Sequence, residues 1–198
     1  MPELPEVQTI VDDLNAADLI GRRITGARVF WPRTIAEPTP QSFCRRIKGC
    51  KFTAIGRRGK YLVFDLNDGN TLLLHLRMSG RLQIASASAT RNKHEHVILS
   101  LDDGRQLRFH DPRKFGRLNL VKNPGRILDR LGPEPLAAGF TAQTLGKLLQ
   151  NRKRMLKPLL LDQAFIAGLG NIYVDEALWE ARLHPCRQAS TLAKPEIK

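Results

Sequence analysis

Between Ile24 and Val121 short apolar runs alternate with clusters of Gly, Asp and Asn, and that spacing commits the stretch to β structure. Lys60–Leu66 and Thr71–Leu76 flank Asn67-Asp68-Gly69-Asn70. His96–Leu101 and Gln106–His110 flank Asp102-Asp103-Gly104. Both pairs read as antiparallel hairpins, because Gly and Asn tolerate the positive φ of a tight turn. Ile24–Trp31, Lys51–Ile55, Arg81–Ile84 and Arg117–Val121 are further strand candidates. Short strands at this spacing predict a sandwich or barrel-like pair of sheets. Ala85–Thr90, rich in Ala and Ser, reads as a flexible loop.

Helical patterns bound the β region. Pro5 and Glu6 suit a first helical turn, and Val7, Ile10, Val11 and Leu14 share one face. This helix is predicted to reach about Leu19 and stop at Gly21. The pattern changes again near Pro124-Gly125, and Leu131-Gly132-Pro133-Glu134-Pro135 reads as a rigid turn. Helices are predicted over Thr141–Gln150, Lys153–Ala167 and Ile172–Ala181, with Gly168-Leu169-Gly170-Asn171 turning between the last two. The predicted class is α+β: an N-terminal helix and antiparallel β-sandwich over 1–124, then a helical domain over 125–198. Ser190–Glu196 has polar caps, a Pro and a Glu in helix-start order. A helix that starts where the sequence stops reads as a truncated chain.

The chain has 198 residues, 42% of them hydrophobic, enough for a real core in one large or two small domains. Lys and Arg number 32 against 19 Asp and Glu, a formal net charge of +13. That excess favours polyanions, nucleic acid ahead of an anionic membrane. No apolar run is long enough to span a bilayer and no signal-peptide core follows Met1, so a cytoplasmic protein is expected. Cys44, Cys50 and Cys186 form no C-x-x-C pair, which argues against a disulfide framework and against a metal site in this chain.

Several segments carry chemistry. Removal of Met1 would leave Pro2 with a free secondary amine, a nucleophile that condenses with an aldehyde-level carbon to an iminium. Glu3 and Glu6 follow closely enough to move protons and stabilise charge. Arg57-Arg58-Gly59-Lys60 puts Lys60 at a strand mouth, where it suits a phosphate. His75 ends a buried-looking strand, and Arg77-Met78 follows before a turn; His75 suits phosphate and Met78 a wedge. Asp111-Pro112-Arg113-Lys114-Phe115-Gly116-Arg117 places Arg113 and Phe115 on one loop, suited to the gap left by an extruded nucleotide. Gly168–Asn171 opens a helix with free N–H groups, suited to a phosphate. Each segment alone also has a plainer reading: a helix start, a solvated hairpin edge, a core Met, a structural His, an ordinary loop.

In order, P-E-L-P-E-V, R-R-G-K, H-L-R-M-S-G, D-P-R-K-F-G, L-G-P-E-P-L, K-P-L-L-L-D-Q and G-L-G-N-I-Y-V-D-E-A-L closely resemble the bacterial formamidopyrimidine-DNA glycosylases, from Met1 to about Arg187. The resemblance implies base-excision repair: release of 8-oxoguanine and ring-opened purines, then strand nicking by β,δ-elimination. It implies that Pro2 attacks C1′, Glu3 protonates the sugar ring oxygen, Glu6 positions water or substrate, and Lys60 orients the lesion-strand phosphate. It gives His75, Lys157, Asn171 and Tyr173 to backbone contacts, and Met78, Arg113 and Phe115 to the gap left by the flipped base. Arg113 would face the orphaned cytosine, and Glu176 belongs to the helix-two-turn-helix. The helical domain would be incomplete and the zinc finger missing, leaving no cofactor in this chain and one zinc in full-length members. The implied partner is double-stranded DNA carrying an oxidised purine or abasic site, bound by a monomer away from any membrane. The rival expectation is a truncated or degenerate relative that binds such DNA without efficient catalysis.

Overall fold

The computed structural model describes residues 2–197. Met1, whose removal the nucleophile requires, lies outside the described residues. The chain forms two compact units, Met1–Pro124 and Gly125–Lys198.

The first unit opens with helix α1 (Leu4–Ala16), which buries Leu4, Val7, Val11 and Leu14. The carboxylate of Glu6 accepts the Glu3 amide at 2.9 Å and closes the helix start. The helix ends at Ala16, short of the predicted Leu19. Asp18 takes a left-handed φ of 52°, which turns the chain so that Leu19 drops into the core.

Strands β1 (Ile24–Val29) and β2 (Ile35–Glu37) follow, then helix α2 (Pro40–Ile47). Next come β3 (Phe52–Arg58), β4 (Tyr61–Leu66), β5 (Thr71–His75), β6 (Arg81–Ser86), β7 (Glu95–Leu101), β8 (Arg105–His110) and β9 (Arg117–Val121). One sheet has the order β1-β7-β8-β6 and the other β2-β9-β5-β4-β3. Their inner faces share one core that includes Phe64, Leu72, Leu74, Val97, Leu107, Phe109 and Leu118.

Three features correct the sequence reading and one extends it. The pairing is not wholly antiparallel, since β2 lies parallel to β9. A strand this short shows no period of its own. Helix α2 was not expected, yet Thr39 caps it by accepting the Ser42 amide at 3.4 Å, Pro40 is its first residue, and Phe43 and Ile47 bury one face. Arg57-Arg58-Gly59-Lys60 leads into β4 as expected, and it also turns the β3–β4 hairpin, with Gly59 at φ 56°. The Ala85–Thr90 loop is also pinned. Buried Arg108 donates to the carbonyls of Ser86 (3.1 Å), Ala89 (2.7 Å) and Thr90 (3.4 Å) and pairs with buried Glu95 at 3.2 Å.

The second unit contains α3 (Gly125–Leu128), α4 (Ala142–Leu149), α5 (Leu156–Leu160) and α6 (Asn171–Glu180). Leu149, Leu156, Leu159, Phe165, Ile166, Val174 and Leu178 form its core. The long helix predicted over Lys153–Ala167 is only the single stretch α5. Asp162 ends it: its carboxylate accepts the Ala164 amide at 3.0 Å, a local bond that competes with helix continuation. The predicted helix start at Ser190–Glu196 is two short 3₁₀ turns, Ala189–Thr191 and Lys194–Glu196. Glu196 faces Arg187 there with both carboxylate oxygens, at 2.5 and 2.8 Å.

Candidate active site

The start of α1 and the β3–β4 hairpin are tied together. Arg57 donates through Nε to Gln8 Oε1 at 3.0 Å and through Nη1 to the Gly59 carbonyl at 3.1 Å. One end of that clamp is on α1 and the other on the hairpin turn. It brings Lys60 up to Glu3, and both are buried although both are charged residue types. Burial pushes the Lys60 ammonium below its usual range, and the charge of Glu3 opposes that shift. Pro2 is only partly covered. A short, dry, charged corner therefore forms at the first residues of the chain.

His75 lies across the sheet from Tyr61 on one side and Arg117 on the other. Its ring meets Tyr61 edge-on at 4.7 Å. Its Nδ1 accepts the Arg77 amide at 3.0 Å, which leaves Nε2 to carry the hydrogen of the neutral ring. Burial, then the positive charges of Arg77 and Lys60, push its pKa down to about 4. The ring is thus an uncharged donor at neutral pH.

Met78 and Phe115 are exposed apolar residues, 43% and 47% accessible, and a core reading of Met78 does not survive that. They line one open depression of about 370 Å³ with Arg77 and Arg117. The Arg113 guanidinium sits over the Phe115 ring at 5.0 Å. Gly80 and Gly116 are forced by close approach. A Cβ on Gly80 would stand 2.4 Å from the Leu76 carbonyl oxygen, and one on Gly116 would stand 2.3 Å from the buried Phe109 ring.

The remaining candidates belong to the second unit. Asn171 is the exposed first residue of α6, after a turn whose Gly168 has φ 97°. Gln163 shapes that turn: it accepts the Gly168 amide at 3.0 Å and donates to the Leu161 and Leu169 carbonyls at 3.0 and 2.8 Å. Lys157 on α5 is ion-paired with Asp175 at 2.7 Å. Residue type alone assigned no role to Gln163, nor to Ser79, Asp111 and Arg117, which shape the Met78 and Phe115 loops. Their partners are set by the fold, so only the motifs around them were visible.

The profile of the formamidopyrimidine-DNA glycosylase N-terminal domain matches residues 1–118, and that of the same enzyme's H2TH domain matches 131–198. The formamidopyrimidine-DNA glycosylase of Protochlamydia amoebophila is 48% identical over all of this chain and 72% of its own length. That of a Roseiflexus species is 51% identical over all of this chain and 73% of its own length. Among solved structures, a complex of the Lactococcus lactis Fpg with Fapy-dG DNA superposes with a TM-score of 0.91 at 35% identity, covering 98% of this chain and 74% of that one. Its complex with abasic-site DNA gives the same score and identity over 98% and 72%. Two domain profiles matched in sequence order, and relatives about half identical along its whole length, place the chain in the formamidopyrimidine-DNA glycosylase family.

Proposed function

We propose that this chain is a DNA glycosylase and abasic-site lyase of base-excision repair, acting on oxidised and ring-opened purines in duplex DNA. The observation that carries the reading is the corner at the chain start, where buried Glu3, next in sequence to the residue whose nitrogen becomes the N-terminal amine, faces buried Lys60. The Pro2 nitrogen attacks C1′, and the base leaves with the electron pair of the glycosidic bond. Glu3 protonates the ring oxygen as the C1′–O4′ bond opens, and the adduct becomes an iminium cation. That cation acidifies C2′–H, so the 3′ phosphate leaves by β-elimination and the 5′ phosphate by a second elimination. Hydrolysis returns the Pro2 amine. Glu6 positions water or sugar, and Lys60 holds the lesion-strand phosphate.

His75, Lys157 and Asn171 grip the backbone, while Met78, Arg113 and Phe115 fill the space vacated by the extruded nucleotide. Among the described residues no three His, Cys, Asp or Glu converge on a metal position. Among the described residues no helix is long and apolar enough to cross a membrane.

Borohydride trapping on an abasic duplex tests the nucleophile. The chain with Pro2 exposed should form a covalent adduct. A version with an uncleaved residue ahead of Pro2, whose nitrogen is then an amide, should form none. An adduct that survives the extension assigns the nucleophile elsewhere. Tight lesion binding with no adduct from the exposed Pro2 chain would favour a binding protein over an enzyme.

A further inference from the structure

The loop that carries Met78 and the loop that carries Arg113 and Phe115 leave different strands, yet they meet on one buried carboxylate. Asp111 has no exposed surface. Its Oδ1 accepts the Ser79 hydroxyl at 2.5 Å and the Arg113 amide at 3.2 Å. Its Oδ2 accepts the Gly116 amide at 2.7 Å. The Ser79 oxygen also accepts the Arg113 amide, at 3.3 Å. The main chain of Asp111 is held as well: its amide donates to the His94 carbonyl at 2.9 Å, and its carbonyl accepts the Lys114 amide at 3.1 Å and lies 2.8 Å from His96 Nε2.

The far side of the loop is braced separately. The Lys114 ammonium rests over the Trp31 ring at 4.1 Å, and Arg117 donates to the Lys114 and Gly116 carbonyls at 3.2 and 2.8 Å. The base of the loop is therefore fixed while the Arg113 and Phe115 side chains stay exposed. Charge-assisted bonds to a buried carboxylate are strong, and a shape fixed before binding has less disorder to lose on binding.

We infer that Asp111 is a positioning residue for lesion recognition: through Ser79 it locks the two loops together, so that Met78, Arg113 and Phe115 enter the duplex as one preformed unit. This rests on the insertion role proposed above for those three side chains. It makes the Ser79 hydroxyl, which touches no nucleotide in this reading, a determinant of how well the base opposite the lesion is read by Arg113.

The test uses Ser79→Ala, Ser79→Thr and Asp111→Asn in the full chain. Binding is measured by fluorescence anisotropy to three duplexes: a tetrahydrofuran abasic analogue opposite cytosine, the same analogue opposite adenine, and an intact duplex. Ser79→Ala should lose about tenfold in affinity for the analogue opposite cytosine. It should narrow the preference for cytosine over adenine and leave intact-duplex affinity unchanged. Ser79→Thr keeps the hydroxyl and should restore the wild-type pattern. Asp111→Asn should act in the same direction and more strongly, and Ser79→Ala decides the matter if that variant fails to fold.

Equal losses on all three duplexes, or no loss, overturn the inference. Borohydride trapping on single-stranded abasic DNA, which has no opposite base to read, separates the two levels. Ser79→Ala should trap like wild type there. A wild-type chain that traps nothing overturns the glycosylase reading and the coupling with it, whereas a trapping wild type matched by Ser79→Ala on every duplex overturns the coupling alone.

Discussion

The hydrogen-bonding of a single ring decides what kind of contact His75 can offer DNA. Nδ1 is occupied by the Arg77 amide, and burial with the Arg77 and Lys60 charges holds the pKa near 4. A folded value depressed below the usual 6.5 means that the unfolded chain binds the proton first as pH falls. The stability tied to neutral His75 is complete above about 6.5 and is lost as pH drops towards about 4. Proton NMR should show the His75 ring titrating near 4, and Arg77→Gln should move that titration upward. The contact itself should be a neutral donor bond. Each cation that neutralises a phosphate steepens the salt dependence of binding by about 0.9 in log–log slope. His75→Ala should therefore weaken DNA binding while leaving that slope unchanged. A slope that falls by about one would show that His75 binds as an imidazolium.

At the level of elements, strands announced themselves where apolar residues met a turn that needs glycine. β4–β5 and β7–β8 pair across Gly69 and Gly104, both with positive φ. Parts whose cause lies far away in sequence were not legible. Ala85–Thr90 reads as a free loop until Arg108 supplies its carbonyls with donors. Lys153–Ala167 carries a helical pattern that the Asp162 carboxylate interrupts. The site divides the same way. Pro2, Glu3 and Lys60 stand in motifs whose chemistry is readable from residue type, while the Ser79–Asp111 bond joins positions 32 residues apart. The Asp111–Arg117 loop also shows what a glycine is for. Alanine at Gly116 must push its methyl into the Phe109 ring, which is 1% exposed and cannot yield. Gly116→Ala should cost about 1–3 kcal/mol in urea unfolding. Gly139→Ala, where a Cβ meets nothing within 4 Å, should stay within about 0.5 kcal/mol. Phe115→Ala should leave stability intact, because the ring is exposed, and weaken lesion-duplex binding more than intact-duplex binding. Equal losses on both duplexes would remove the wedge assignment.

Across the whole molecule the dominant quantity is the +13 charge, which draws any duplex by counterion release without telling one sequence from another. How tightly any duplex is held then depends on where individual cations are held back by carboxylates. Lys157 is one such cation: its ammonium lies 2.7 Å from Asp175, and both side chains are partly exposed, 34% and 51%. An ion pair this wet contributes little to folding, on the order of 0–1 kcal/mol. Its larger effect is on DNA, because a phosphate approaching Lys157 meets the Asp175 charge as well. Asp175→Asn keeps the side-chain size, raises the formal charge from +13 to +14, and frees the ammonium. If Lys157 grips the backbone, Asp175→Asn should bind both lesion and intact duplexes a few-fold tighter, with the gain fading as salt screens the charge within a Debye length of about 8 Å at physiological strength. Thermal unfolding should hardly change. The double variant Lys157→Ala with Asp175→Asn should lose the gain, since no cation is left to release. A single Asp175→Asn that binds no tighter at low salt would place Lys157 off the path of the DNA.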